Sequence, residues 1–128
     1  METNKIVTKL MPAIPSDWTK VVLYTEIADK YYSMFFYSYV NGEIQPVYCY
    51  DLCKNYNVAA DDINNIFEEL YKIMKSSWDE ANEKKQPFYH YTLVVNKDLT
   101  FREFYDYTKL EDCSLNYVSE WKKKYLTN

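Results

Sequence analysis

Between Ala60 and Lys84 apolar side chains return at steps of three and four: Ile63, Ile66, Phe67, Leu70, Tyr71, Met74, Trp78 and Ala81. That spacing draws a stripe down one side of an α-helix and predicts a long helix lying on a core. Asp61 and Asp62 near its start and Lys84 and Lys85 near its end suit the helix dipole, and Gln86-Pro87 stops it. Ile6, Val7, Leu10 and Met11 repeat the pattern over residues 3–11, where Pro12 and Pro15 close a second helix. Leu115, Val118, Trp121 and Tyr125 predict a C-terminal helix with Asp112 or Ser114 as its cap.

Elsewhere the pattern is that of strands. Trp18–Ile27 and Tyr31–Val40 are rich in β-branched and aromatic residues and read as strands one and two. Asn41-Gly42 signals a hairpin with both turn residues at positive φ, leading into strand three, Ile44–Tyr50, where Pro46 marks an edge or a bulge. Asp51 is placed to cap a short turn, "DLCKNY". Phe88–Val95 and Leu99–Tyr107, joined by Asn96-Lys97-Asp98, complete the set. The order α-βββ-α-ββ-α predicts an α+β fold: a single domain over residues 1–128, with one antiparallel sheet of about five strands and helices packed mainly on one face.

Strand two, "YYSMFFYSYV", is unusual because neither alternating face is polar. Tyr32, Met34, Phe36 and Val40 point one way; Tyr31, Phe35, Tyr37 and Tyr39 point the other. If helices cover one side, the second side is either an outward aromatic surface or a smaller core under the C-terminal helix and its Trp121. Tyrosine suits a half-wet surface, since its ring covers area while the hydroxyl stays in water.

Composition narrows the chemistry. One glycine in 128 residues excludes glycine-rich phosphate loops and dinucleotide fingerprints, which need several. A net charge of −4 argues against nucleic acid or an anionic membrane as the main partner and is compatible with a basic protein. No stretch approaches the ~20 apolar residues of a bilayer span, and "METNKIVTKLMPAIP" lacks the apolar run and cleavage site of a signal peptide. Cys49, Cys53 and Cys113 are odd in number and form no C-x-x-C, so free thiols and a cytoplasmic location are expected.

His90 is the only histidine, so acid–base catalysis by imidazole would have to pass through it, with Cys113 or Ser114 as nucleophile. Its place in a strand reading Y-H-Y-T needs no catalytic explanation. Cys49, Cys53, Cys113 and His90 are enough in number for zinc but lack paired knuckle spacing. "WKKKY", Trp121–Tyr125, is the one basic cluster and complements a helix C-terminus. No metal, cofactor or enzymatic activity is implied. Acids are denser: seven between Asp61 and Glu83, and five between Asp98 and Asp112. They are either solvated faces or a surface that attracts a basic partner.

The run "IPSDWTKVVLYTEI", the aromatic strand, "YCYDLCKNYNV", the long helix, "FYHYTLVVNKDLTFREFYDY" and "SEWKKKYL" together resemble the YezG-like immunity proteins over nearly the whole chain. Trp18, Leu23, Tyr24, Glu26, Tyr48, Asp51, Tyr56, Val58, Phe101, Tyr105, Tyr107 and Trp121 match the family pattern, most of them as fold-keeping residues. "NKDLTF" departs from it by lacking the family's glycine, and the C-terminal part is short. The resemblance implies a bacterial antitoxin that neutralises a polymorphic, LXG or type VII-secreted toxin, often a nuclease, by tight binding and without catalysis.

Acidic groups would then mimic the phosphates that a basic nuclease expects, and tyrosines would anchor the contact. The expected pool of partner-binding residues is Tyr37, Tyr39, Glu68, Glu69, Tyr89, Tyr91, Asp98, Glu103 and Asp106. The free protein is expected to be a monomer or weak homodimer. A small-ligand or peptide binder with a Tyr-lined sheet is the alternative.

Overall fold

The computed structural model describes residues 1–126. In chain order the elements are α1 (Thr3–Leu10), β1 (Trp18–Ala28), β2 (Tyr31–Val40), β3 (Val47–Tyr48), α2 (Leu52–Asn55), α3 (Ala60–Glu83), β4 (His90–Asn96), β5 (Phe101–Asp106) and α4 (Tyr117–Tyr125). Short 3₁₀ turns precede α2 and α4 and follow α1. The strands form one antiparallel sheet in the order β3-β2-β1-β4-β5, the α+β fold expected.

β1 lies at the centre, with Val21, Val22, Leu23, Tyr24, Thr25 and Ile27 all buried. Consecutive buried residues mean that both of its faces are covered. On one face α1 and α3 build the larger core. Ile6 and Leu10 from α1 and Ile63, Phe67, Leu70, Met74 and Trp78 from α3 meet Leu23, Ile27, Phe36, Leu93 and Val95 of the sheet. The apolar stripe read along α3 is therefore the buried one, and each Leu or Met sealed there contributes about 1.5–3 kcal/mol. The Trp78 indole donates to the Phe88 carbonyl at 2.7 Å, which ties the end of α3 to the approach of β4.

On the other face α4 lies over a smaller core of Val22, Tyr24 and Trp121, flanked by Phe35, Tyr37, Tyr39, Val94, Tyr117 and Tyr125. The second side of β2 is thus partly roofed.

Three local expectations change. Strand three shrinks to two residues, because the chain leaves β2 through a looser loop that carries an 88% exposed Ile44 and reaches Pro46. Of the hairpin pair only Gly42 has positive φ, +90°, as the third residue of a type II turn requires, with the Glu43 N–H donating to the Val40 carbonyl at 3.1 Å. Helix α4 begins at Tyr117 and leaves Leu115 and Val118 exposed. Its inward residues are Tyr117, Trp121 and Tyr125, spaced by four. Asn116 holds the cap position with no side-chain bond, and the Ser114 hydroxyl instead accepts from the Asn116 N–H at 3.0 Å.

Candidate binding site between α4 and β5

The antiparallel register sets Glu26 of β1 beside His90 of β4, and His90 beside Asp106 of β5. Strand alternation turns this row toward α4, together with the next row, Tyr24, Thr92 and Phe104. α4 is seated on the second row: the Trp121 indole donates to Thr92 Oγ1 at 2.8 Å and meets Tyr24 and Phe35 edge-on at 5.1 and 5.5 Å. Tyr125 lies 5.2 Å from Phe104.

The first row is polar, with His90 buried and Glu26 and Asp106 half-buried on either side. Tyr117 stacks on the His90 ring at 3.9 Å and donates its hydroxyl to Asp106 Oδ2 at 2.7 Å. Tyr24 and Tyr31 donate to the two Glu26 oxygens at 3.2 and 2.8 Å. His90 itself is 3% exposed, and among the described residues neither ring nitrogen has a hydrogen-bond partner. Nε2 stands 3.6 Å from Glu26 Oε1, beyond hydrogen-bond reach. Burial lowers the imidazole's pKa below its ordinary 6.5 against the pull of Glu26 and Asp106, so at neutral pH the ring is uncharged. Burial pushes Asp106 upward, but hydrogen bonds from the Thr108 N–H, at 2.9 Å, and from Tyr117 outweigh it and hold the carboxyl below its usual range. The result is a neutral imidazole between two carboxylates.

Beside this row α4 and β5 enclose a half-open cleft of about 670 Å³. His90 and Thr92 form its floor, Phe104, Asp106 and Tyr107 one wall, and Tyr117, Glu120, Trp121 and Lys124 the other. Cys113 sits nearby with Glu26, Asp106, Glu111 and Asp112 around it; burial first, then these acids, raise its pKa. Its thiol donates to the Lys109 carbonyl at 3.4 Å, so it is neither activated nor paired with His90. Cys49 is buried in the larger core, where burial pushes its pKa up to about 11, and Cys53 packs there too. The sheet therefore separates these two thiols from His90 and Cys113, and no metal-binding group forms among the described residues.

The sequence-predicted pool is dispersed. Tyr37, Tyr39 and Asp106 lie on the α4 side; Lys20 Nζ rests 4.3 Å above the Tyr39 ring, and Lys122 Nζ lies 5.8 Å from that of Tyr37. Glu68 is exposed and Glu69 half-buried on α3, across the sheet, with Glu69 paired to Lys72 at 3.4 Å. Asp98 shapes the β4–β5 turn by accepting from the Thr100 N–H at 3.0 Å and hydroxyl at 2.6 Å. Tyr89 is half-buried, edge-on to Trp78 at 6.4 Å.

Tyr91 is a correction: it is fully buried in the larger core, because its parity on β4 is that of Leu93 and Val95. Its hydroxyl donates to Glu103 at 2.7 Å, and Glu103 also accepts from Thr3, so this carboxylate joins α1, β4 and β5. Glu26, Tyr117 and Glu120 were missed as site residues. Glu26 carried a signal, a lone acid in the apolar run "VVLYTEIA"; Glu120 carried none, being one charge among many on a helix.

The family model described as "Immunity protein YezG-like" matches residues 3–128. The Immunity protein YezG of Bacillus spizizenii (strain W23) is 28% identical over 107 residues, covering 81% of this chain and 64% of that protein. The Immunity protein YezG of Bacillus subtilis (strain 168) is 28% identical over 100 residues, covering 77% and 66%. The matched stretch thus spans just under two thirds of each relative's own length. This chain belongs to the YezG-like immunity protein family.

Proposed function

We propose that this chain is a cytoplasmic immunity protein, a single domain that neutralises a co-produced bacterial toxin by direct binding. It acts by occupation and not by catalysis. The family match over residues 3–128 carries this reading. The toxin is of the polymorphic, type VII-secreted kind and is a nuclease with a basic surface. Supporting this, the chain's net charge is −4 and its acids include a group at one end of the sheet, Glu26, Asp106, Glu111 and Asp112 around Cys113. Such a surface draws a basic domain and speeds encounter. Tyr37 and Tyr39 supply broad contact area at low entropic cost. A contact of ordinary size covers ~800 Å² on each partner.

Co-expression with the toxin domain encoded beside it tests the reading: cell survival and co-purification are expected, and failure of both removes it. A second reading, a small-ligand or peptide binder, draws on the half-open cleft beside His90.

A further inference from the structure

We propose that the α4–β5 cleft is a receptor for the guanidinium group of an arginine presented by a protein partner, with the Asp106 and Glu120 carboxylates and an unpartnered ring nitrogen of His90 as its acceptors. The inference rests on the immunity reading for the partner's identity, though not for the site's chemistry.

Three observations converge. First, the cleft floor holds a 3% exposed imidazole whose nitrogens make no hydrogen bond among the described residues: Nε2 stands 3.6 Å from Glu26 Oε1, and Nδ1 has no partner. A neutral imidazole always has one bare nitrogen, and a buried polar atom left unsatisfied calls for a partner. Second, the lining is acidic. Asp106 and Glu120 face a single lysine, Lys124, and Glu26 stands behind His90. That charge rejects phosphate and carboxylate ligands and favours a cation. Third, the walls are aromatic, with Phe104, Tyr107 and Tyr117 among them. A planar guanidinium stacks on such rings and holds several acceptors at once through its rigid fork, whereas a compact, strongly hydrated ammonium does neither as well.

The site has an intrinsic competitor. A proton on His90 places a positive charge where the guanidinium would bind. The charged or titratable groups facing the ring are Glu26 and Tyr24 from β1, Tyr31 from β2, Asp106 from β5, Cys113 from the connecting segment, and Tyr117, Glu120 and Lys124 from α4. Among these residue types and His90, histidine is the one that ordinarily changes charge between about pH 5 and 8. Guanidinium binding therefore weakens as pH falls through the His90 titration.

One histidine gives one imidazole Cε1–H resonance, so NMR of the intact free chain reads the site directly. Ethylguanidinium chloride should shift that resonance saturably, ethylammonium chloride should do so more weakly, and sodium chloride at equal ionic strength not at all. The ethylguanidinium affinity should be several-fold lower near about pH 5.5 than near about pH 7.5. It should be lost in Asp106→Asn and reduced in Glu120→Gln, an exposed helix position that leaves the fold intact if the first variant does not fold. Adding the adjacent toxin domain should displace the probe. Equal responses to all three salts, or an unchanged affinity in Glu120→Gln, would overturn the site. A probe that stays bound in the presence of bound toxin would overturn the assignment to a partner's arginine. The two readings fail separately: cells protected from toxin by a chain indifferent to ethylguanidinium keep the immunity function and lose the site. A guanidinium-binding chain that neither protects nor co-purifies does the reverse.

Discussion

Leu99 shows how much a single residue can hold against its own preference. It lies in the β4–β5 turn with φ at +69°, in the left-handed region that L-residues avoid. Such a conformation costs about 1–2 kcal/mol for a side chain with a Cβ. Leu99→Gly should therefore raise stability by about 1 kcal/mol, read as a higher urea midpoint at unchanged slope. Gly42 is the converse: at φ +90° a Cβ would meet nothing within 4 Å, so Gly42→Ala should lose about 1 kcal/mol through the backbone alone.

His90 gives a pH effect of fixed sign. Its folded pKa lies below 6.5, so between those two values the unfolded chain binds a proton that the native one does not. Stability should fall as pH drops through about 6.5 toward the folded value, and His90→Phe should flatten that slope in denaturant titrations. Asp106 acts in a separate window. Its carboxyl is depressed from 3.8, so its contribution is present above that value and is lost only in stronger acid.

Elements were legible where one periodicity dominated. α3 announced itself through Ile63, Leu70, Met74 and Trp78, and the central strands through their β-branched and aromatic runs. What stayed hidden was orientation. In β4 the alternation was present, with His90, Thr92 and Asn96 on one parity against Tyr91, Leu93 and Val95 on the other, but α4 buries His90 and Thr92 as well, so the polar parity marks a second covered face and not an open one. α4 was misread for a related reason: Leu115 and Val118 look more hydrophobic than Tyr117, yet the tyrosine is the residue that covers His90. The site was less legible than the fold because it is made by register. Glu26, His90 and Asp106 are far apart in the chain and become neighbours only across three strands. Trp121→Ala should cost about 3–5 kcal/mol, since it empties the smaller core and removes the bond to Thr92. Loss of α4 helicity with the main sheet retained is the expected spectrum; an unchanged urea midpoint would contradict the role assigned to this indole.

For the whole molecule, charge and shape lead to one expectation about encounter. A net charge of −4, with acids gathered at the α4–β5 end, should make association with a basic toxin domain fast at low salt and markedly slower at about 0.5 M, where the screening length is only a few ångströms. Dissociation should respond far less to salt. Stopped-flow rates at two ionic strengths check this, and a salt-independent association rate would remove electrostatic steering from the account.

The attachment of α4 through one buried indole flanked by two half-buried tyrosines has a thermodynamic consequence. The chain folds around two nuclei of very unequal size, and the lesser one, Val22, Tyr24 and Trp121, has little to resist transient release. Amide hydrogens of Tyr117–Tyr125 should exchange with solvent long before those of β1, through sub-global openings that leave the remainder of the sheet intact. Each such opening bares a strip of rings from Tyr24 to Phe35 and Tyr37, which a second molecule would cover. Reversible self-association should therefore rise with the same mild denaturant that speeds exchange in the last helix.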